Sequence, residues 1–315
     1  MKVLVTGATG FVGRALVPVL KAAGMDVFCS TREPSAAIDG CSMRVVGELG
    51  PETDWSGALK DIDLVVHLAA RVHVMNETSA DPLAENMRIN TEGTARLARQ
   101  AAGAGVSRFL FLSTVKAQGE NTTGSAFQET DTPDPQDPYG IAKLKAEEGL
   151  SGIGAETGME IVILRPPLVY GPGVGGNFLS LLRLCTKGLP LPLGAVHNRR
   201  DLIFVGNLAH AIKTALTHHG AAGKTYFVRD GEGISTTELI RRLCVALDAP
   251  TRLLPFPAYL MRLAGQITGN KAVVSRILES LEIDDTAIRQ DLDWTPPYNM
   301  LQGLSQTAEW FKART

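Results

Sequence analysis

The chain has 315 residues, 44% of them hydrophobic, enough to bury a large core in one big or two modest domains. A formal net charge of −2 supplies no basic surface, which argues against nucleic acid as a partner. Four cysteines, Cys29, Cys41, Cys185 and Cys244, show neither metal-ligand spacing nor a paired framework, and read as buried thiols in a reducing compartment.

Lys2 to Thr6 is a short apolar run of strand type. Gly7, Gly10 and Gly13 follow at a spacing of three, and Val12, Ala15, Leu16, Val19 and Leu20 then fall on one helical face. A strand, a glycine turn and a helix N-terminus bring bare backbone N–H groups against a pyrophosphate, and side chains at the glycines would block that approach. Dinucleotide binding is the first expectation. With a strand starting at Lys2, no secretory leader is expected, and no apolar run reaches membrane-spanning length. The expectation is a cytoplasmic protein without membrane insertion and without a metal site.

Further strands are expected at 26–30, 43–47, 63–67, 107–112 and 160–164, with helices at 11–23, 84–103 and 139–157. Such alternation implies an α/β fold, a doubly wound parallel sheet covered on both faces. Pro18 costs the first helix one backbone bond and is expected to bend it. From Gly171 the alternation fades, and later apolar patterns at 235–248, 257–281 and 301–312 are helical. The expected organisation is a dinucleotide-binding domain over 1–170 and a smaller, mainly helical substrate domain over 171–200 and 231–315. Residues 201–230 would return to the sheet through 201–216 and 225–228. The apolar stretch 253–263, interrupted by Pro255, Pro257 and Arg262, reads as a packed helix.

Chemistry concentrates in the string DPYGIAKLKAEE. Pro138 suits a first helical turn, and four-residue spacing places Tyr139 and Lys143 on one face. A tyrosine titrates near pH 10, and a neighbouring ammonium, together with a positively charged nicotinamide, favours its phenolate, as a proton shuttle at neutrality requires. Ser113 and Thr114 close the run FLFLST at a strand's C-terminal edge, where ligands gather in open α/β sheets. A hydroxyl there can hold the substrate oxygen that Tyr139 protonates or deprotonates. His67, at a strand end without a carboxylate or nucleophile at partner spacing, reads as packed. His218 and His219 read as exposed surface, and the acidic, proline-bearing stretch 129–137 reads as a loop over the site.

The strings TGATGFVG, VVHLAA (65–70), NTEGT (90–94), FLST (111–114), YGIAK (139–143) and RPPLVYGPG (165–173) run through most of the chain. On them the chain resembles the extended short-chain dehydrogenase/reductase family. The resemblance implies that Thr114, Tyr139 and Lys143 are catalytic. It implies that Gly7, Gly10, Phe11, Val12 and Gly13 hold the pyrophosphate, and that Leu68, Ala69, Ala70, Asn90 and Ser113 line the cofactor. Pro166 and Val169 would lie near the nicotinamide. Glu48 and Leu49 look like the family's acidic–aliphatic pair beside adenine, where Asp is more frequent.

Within the family the nearer resemblance is to UDP-hexose 4-epimerases and UDP-4-keto-sugar reductases, through GGNF (175–178), PLPLGAVHNRRDLIFVGNLA (190–209) and Arg276. It implies that Asn177 and Arg200 hold the diphosphate, with Arg276 also at the substrate and Leu191 and Leu193 near uracil. Leu168 stands where the family has Asn, which removes a polar contact to the substrate. Both enzyme types move a hydride between nicotinamide C4 and sugar C4. Arg32, just past the second strand, can pair a 2′-phosphate, whereas the adjacent Glu33 keeps NAD open. The reading favours NADP and a UDP-4-keto-6-deoxy-hexosamine-type 4-reductase, with a UDP-hexose 4-epimerase using NAD as the alternative. A non-catalytic NADP-sensing regulator would commonly lack the Tyr/Lys pair. The expected partner is a UDP-sugar, and a homodimer is left open.

Overall fold

Val3, Leu4 and Val5 of β1 (Lys2–Thr6) are fully buried. A strand that is apolar on both faces belongs inside a parallel sheet with helices on either side. The computed structural model describes residues 1–33, 38, 41–72, 80–269 and 271–314. After β1 come α1 (Phe11–Ala22), β2 (Asp26–Thr31), β3 (Ser42–Val45), α2 (Ser56–Leu59), β4 (Leu64–His67), α3 (Pro82–Asn86), α4 (Gly93–Gly103), β5 (Arg108–Leu112), α5 (Pro138–Thr157) and β6 (Glu160–Arg165). The chain continues through β7 (Leu168–Tyr170), α6 (Gly176–Thr186), β8 (Leu202–Phe204), α7 (Val205–Thr217) and β9 (Thr225–Phe227). It ends in α8 (Thr236–Ala246), α9 (Ala258–Ile267), α10 (Lys271–Leu278), α11 (Thr286–Leu292) and α12 (Met300–Lys312).

Seven strands form one sheet in the order β3-β2-β1-β4-β5-β6-β9, every neighbouring pair parallel. The winding reverses between β1 and β4, which opens a ligand crevice beyond the strands' C-terminal ends. Val5, Leu16, Leu20 and Ile212 pack α1 and α7 on one face. Leu97, Phe109 and Leu150 pack α4 and α5 on the other. A further core, including Phe178, Leu243 and Leu304, binds α6, α8 and α12 together. Among the described residues no helix is long and apolar enough to cross a membrane.

The doubly wound sheet is the expected one, but several local expectations need correction. Of 201–230 only β9 reaches the large sheet, beside β6; β8 pairs with β7 in a separate two-stranded sheet. Pro166 and Pro167 separate β6 from β7, so the chain leaves the sheet before pairing again. The helix expected at 84–103 starts earlier, at Pro82, where Asp81 accepts from Ala84 N, and it is π-helical over Met87–Glu92. The pattern at 257–281 breaks into α9 and α10 at Gly269, whose φ is +72°. In 253–263 the residues Leu254, Phe256, Tyr259 and Leu263 are exposed rather than packed. His218 is half-buried, because its Nδ1 accepts from Gly220 N at 3.2 Å. The thiols do pair in space: Cys29 neighbours the half-buried Cys41, and Cys185 neighbours Cys244.

Candidate active site

The β1–α1 turn is a cradle that only glycine permits. Gly7 has φ +67°, and a Cβ there would lie 2.7 Å from Ala69 N; one at Gly13 would lie 2.5 Å from Ala8 Cα. Gly10 caps α1 without a side-chain hydrogen bond, and the first turn, which includes Phe11, Val12 and Gly13, carries no acid. Its N–H groups are thereby shaped for an anion. Thr6 Oγ1 accepts from Leu68 N and Ala69 N, each at 3.2 Å, which holds the chain leaving β4 against the glycine turn. Asn90, inside the π-helical turn, grips the same exit. Its Oδ1 accepts from Arg71 N at 2.7 Å and its Nδ2 donates to Arg71 O at 2.9 Å. His67 is fully buried between Thr6 Oγ1 at 2.6 Å and Thr94 Oγ1 at 3.0 Å, and burial pushes it down to about 3. It is a neutral core residue.

Helix α5 delivers the Tyr/Lys pair. Asp137 caps it, with Oδ1 accepting from Gly140 N at 2.6 Å. Tyr139 is half-buried, and Lys143 is 2% exposed with Nζ 3.8 Å from the Phe111 ring centroid. Burial, then the nearby Asp137, raises Tyr139 above the usual tyrosine value. Burial lowers Lys143 from 10.5 to about 7, opposed by Glu147. The expected phenolate needs a positively charged nicotinamide as well as the ammonium; for the side chains alone, burial is the largest influence on both groups.

Thr114, at the end of β5, is half-buried, and its Oγ1 accepts from Lys116 N at 3.3 Å. Ser113 beside it points inward and donates to Glu147. Lys116 ion-pairs with Asp137 and stands 3.6 Å from Glu120, so it ties the Thr114 turn to the start of the Tyr139 helix. Pro166 O accepts from Val115 N at 2.9 Å, which places the β6–β7 link against the same turn. Val169 on β7 is half-buried between two cores.

Arg32 and Glu48 meet at 3.6 Å beyond β2, with side chains 74% and 83% exposed. Leu49 beside them is half-buried. Arg199 and Arg200, adjacent in the chain, part ways. Arg199 is exposed and pairs with Glu282 at 3.1 Å, whereas Arg200 is partly buried and donates to Glu279 O at 3.0 Å. Burial lowers the Arg200 pKa, Glu279 raises it and the nearby Arg276 lowers it again. Asn177 is exposed in the first turn of α6, Leu191 is half-buried, and Leu193 is packed in the helical core.

Sequence reasoning missed three buried partners, Glu147, Arg165 and Gln118. Glu147 receives Arg165 Nε at 3.1 Å and Nη2 at 2.5 Å, as well as Ser113, while Arg165 Nη1 donates to Gln118 Oε1 at 2.7 Å. Glu147 stands one turn beyond Lys143, a spacing that could have found it. Lys116, two residues past Thr114, gave no such signal.

A doubly wound sheet, a glycine cradle at its switch point and a Tyr/Lys helix beside a strand-end threonine define an enzyme of the extended short-chain dehydrogenase/reductase class. The model of the NAD dependent epimerase/dehydratase family matches residues 3–228, and the chain belongs to that family. A UDP-glucose 4-epimerase of Vibrio cholerae is 40% identical over 98% of this chain and 95% of its own length. The N-acetyl-alpha-D-glucosaminyl-diphospho-ditrans,octacis-undecaprenol 4-epimerase of Escherichia coli O157:H7 is 27% identical over 98% of this chain and 94% of its own. Among solved structures, MoeE5 in complex with UDP-glucuronic acid and NAD superposes with a TM-score of 0.80 at 26% identity, covering both chains completely.

Proposed function

We propose that the protein carries out oxidation–reduction at C4 of a UDP-sugar, working as a 4-reductase on a UDP-4-keto-6-deoxy-hexosamine-type substrate with NADPH. The observation that carries the C4 chemistry is the joining of Tyr139 to Thr114. Lys116 and Asp137 bind the turn that bears one hydroxyl to the helix that bears the other. The Gly7–Gly13 backbone, Leu68 to Ala70 and Asn90 would hold a dinucleotide, which fits because side chains are excluded from the cradle. When bound, that cofactor supplies reversible transfer of a hydride to and from the sugar's C4. Thr114 Oγ orients the sugar oxygen, Tyr139 gives it a proton, and Lys143 holds the ribose and the charge left on the phenol. Arg200 and Arg276 take the diphosphate.

Two observations favour reduction. Arg32 lies past β2 in an exposed pair with Glu48, and such pairs are weak enough for a 2′-phosphate to replace the carboxylate. Leu168, 45% exposed, gives an apolar neighbour in place of a polar one. A second reading, a UDP-hexose 4-epimerase that uses NAD, draws support from the 40%-identical Vibrio cholerae relative.

Incubation with UDP-4-keto-6-deoxy sugars and with UDP-hexoses, with and without NADPH, separates the two by mass and NMR. A reductase consumes one NADPH for each keto-sugar. Interconversion of two UDP-hexoses without net cofactor change selects the epimerase, and no turnover of either substrate class sinks both.

A further inference from the structure

Tyr259, Leu263 and Ile267 recur every fourth residue of α9 and are 68%, 51% and 78% exposed. At that spacing they form one stripe, turned away from the face that buries Gly265. Leu254 and Phe256 precede the stripe at 54% and 38% exposure, and Val273 follows it at 50%. Six large apolar side chains in one stretch of chain exceed the scattered singles of an ordinary surface.

The charge around them is one-sided. Residues 249–278 contain Arg252, Arg262, Lys271 and Arg276 and no acid, in a chain whose formal net charge is −2. Arg262 flanks the stripe directly, and Arg252 and Lys271 are exposed on the segments entering and leaving α9. An exposed apolar stripe edged by cations matches the interface of an anionic bilayer, where acyl chains take the apolar groups and headgroups take the cations. Tyr259 and Phe256 suit the headgroup depth. A second copy of this chain fits less well, because a symmetric contact would set the cations against themselves.

We infer that α9 and its flanking segments form a peripheral docking surface for an anionic phospholipid membrane. The helix is too short to span a bilayer and lies on it instead. The docked segment is joined to the candidate substrate site. Leu191 N donates to Arg252 O at 2.8 Å, Leu254 N to Leu191 O at 2.8 Å and Gly194 N to Leu254 O at 2.9 Å. α10, which packs beside α9, carries Arg276.

Co-sedimentation of the full chain with phosphatidylcholine vesicles, with and without about one-third phosphatidylglycerol, tests this at roughly 0.1 M salt. Binding is expected with the anionic vesicles, at least about tenfold weaker with neutral ones, and weakened by added salt. The triple variant Tyr259→Ser, Leu263→Ser, Ile267→Ser should lose most of it, and so should Arg262→Glu with Lys271→Glu. Circular dichroism melting checks that both variants remain folded. No sedimentation with anionic vesicles, or equal binding to neutral ones, overturns the inference. So does a lipid-free dimer in ultracentrifugation that the triple variant abolishes, since a second copy would then cover the stripe.

Discussion

Lys143 and Glu147 stand one turn apart on α5, 2% and 4% exposed, and Glu147 is held at the same time by Ser113 and Arg165. Glu147 thus lies between the Arg165 guanidinium and a lysine that burial pushes towards neutrality. The arrangement joins the interior of the helix to the ends of β5 and β6, where the candidate chemistry sits.

Removing the carboxylate should be costly. Glu147→Ala leaves Arg165 buried without its counter-charge, and loss of one member of a buried pair typically costs about 3–5 kcal/mol. Urea unfolding measures this. A loss below about 1 kcal/mol, as for an exposed pair, would show that Arg165 finds water or another partner.

Lys143 gives stability a defined pH slope. Below pH 7 the folded and unfolded chains both carry the ammonium, and the folded state bears the full cost of burying it. Between about 7 and 10.5 the unfolded chain holds a proton that the folded chain has released, so stability rises with pH. Lys143→Met removes this contribution. From pH 7 to about 8.5, below the main thiol and phenol titrations, the native protein should gain stability relative to the variant. Parallel curves would mean that the lysine keeps its ordinary value.

Arg200→Ala should weaken UDP binding, by about 1.5–3 kcal/mol as for other charge-assisted bonds, and leave NADPH binding almost unchanged. Titration calorimetry with each ligand separates the two. Unaltered UDP affinity would assign Arg200 to holding the α10 C-terminus through Glu279 O, at 3.0 Å, and to nothing else.

Arg32 carries the cofactor preference. The native protein should bind NADPH more tightly than NADH, and rising salt should erode the difference, because the pair with Glu48 is exposed. Arg32→Asp should reverse the preference, since a carboxylate accepts from the 2′-hydroxyl and repels a 2′-phosphate. Equal affinities in both proteins would remove Arg32 from the argument.

The sheet and the Tyr139–Lys143 pair were legible because each rests on local spacing: apolar runs, glycines three apart, and a four-residue helical interval. The partners of Glu147 were not. Ser113 and Arg165 lie on separate segments that only the parallel sheet brings together. The altered protonation of Lys143 was equally hidden, because it comes from burial, which spacing does not report. The apolar residues of 253–263 misled in the opposite sense. Hydrophobic content reads as core, yet Tyr259 and Leu263 of α9 face outward. At 43–47 the pattern overran the strand by two residues, since β3 is the sheet's edge and ends at Val45.

The central claim is that chemistry occurs at sugar C4 with Tyr139 as the acid, and isotope transfer tests it most directly. The protein is incubated with NADPH deuterated at the transferable position and a UDP-4-keto-6-deoxy sugar, and the product is read by NMR. Deuterium should appear at C4 of the sugar and at no other carbon, and Tyr139→Phe should slow the transfer by about 10²-fold or more while NADPH affinity is kept. Deuterium at another carbon, or an undiminished rate in Tyr139→Phe, would contradict the account.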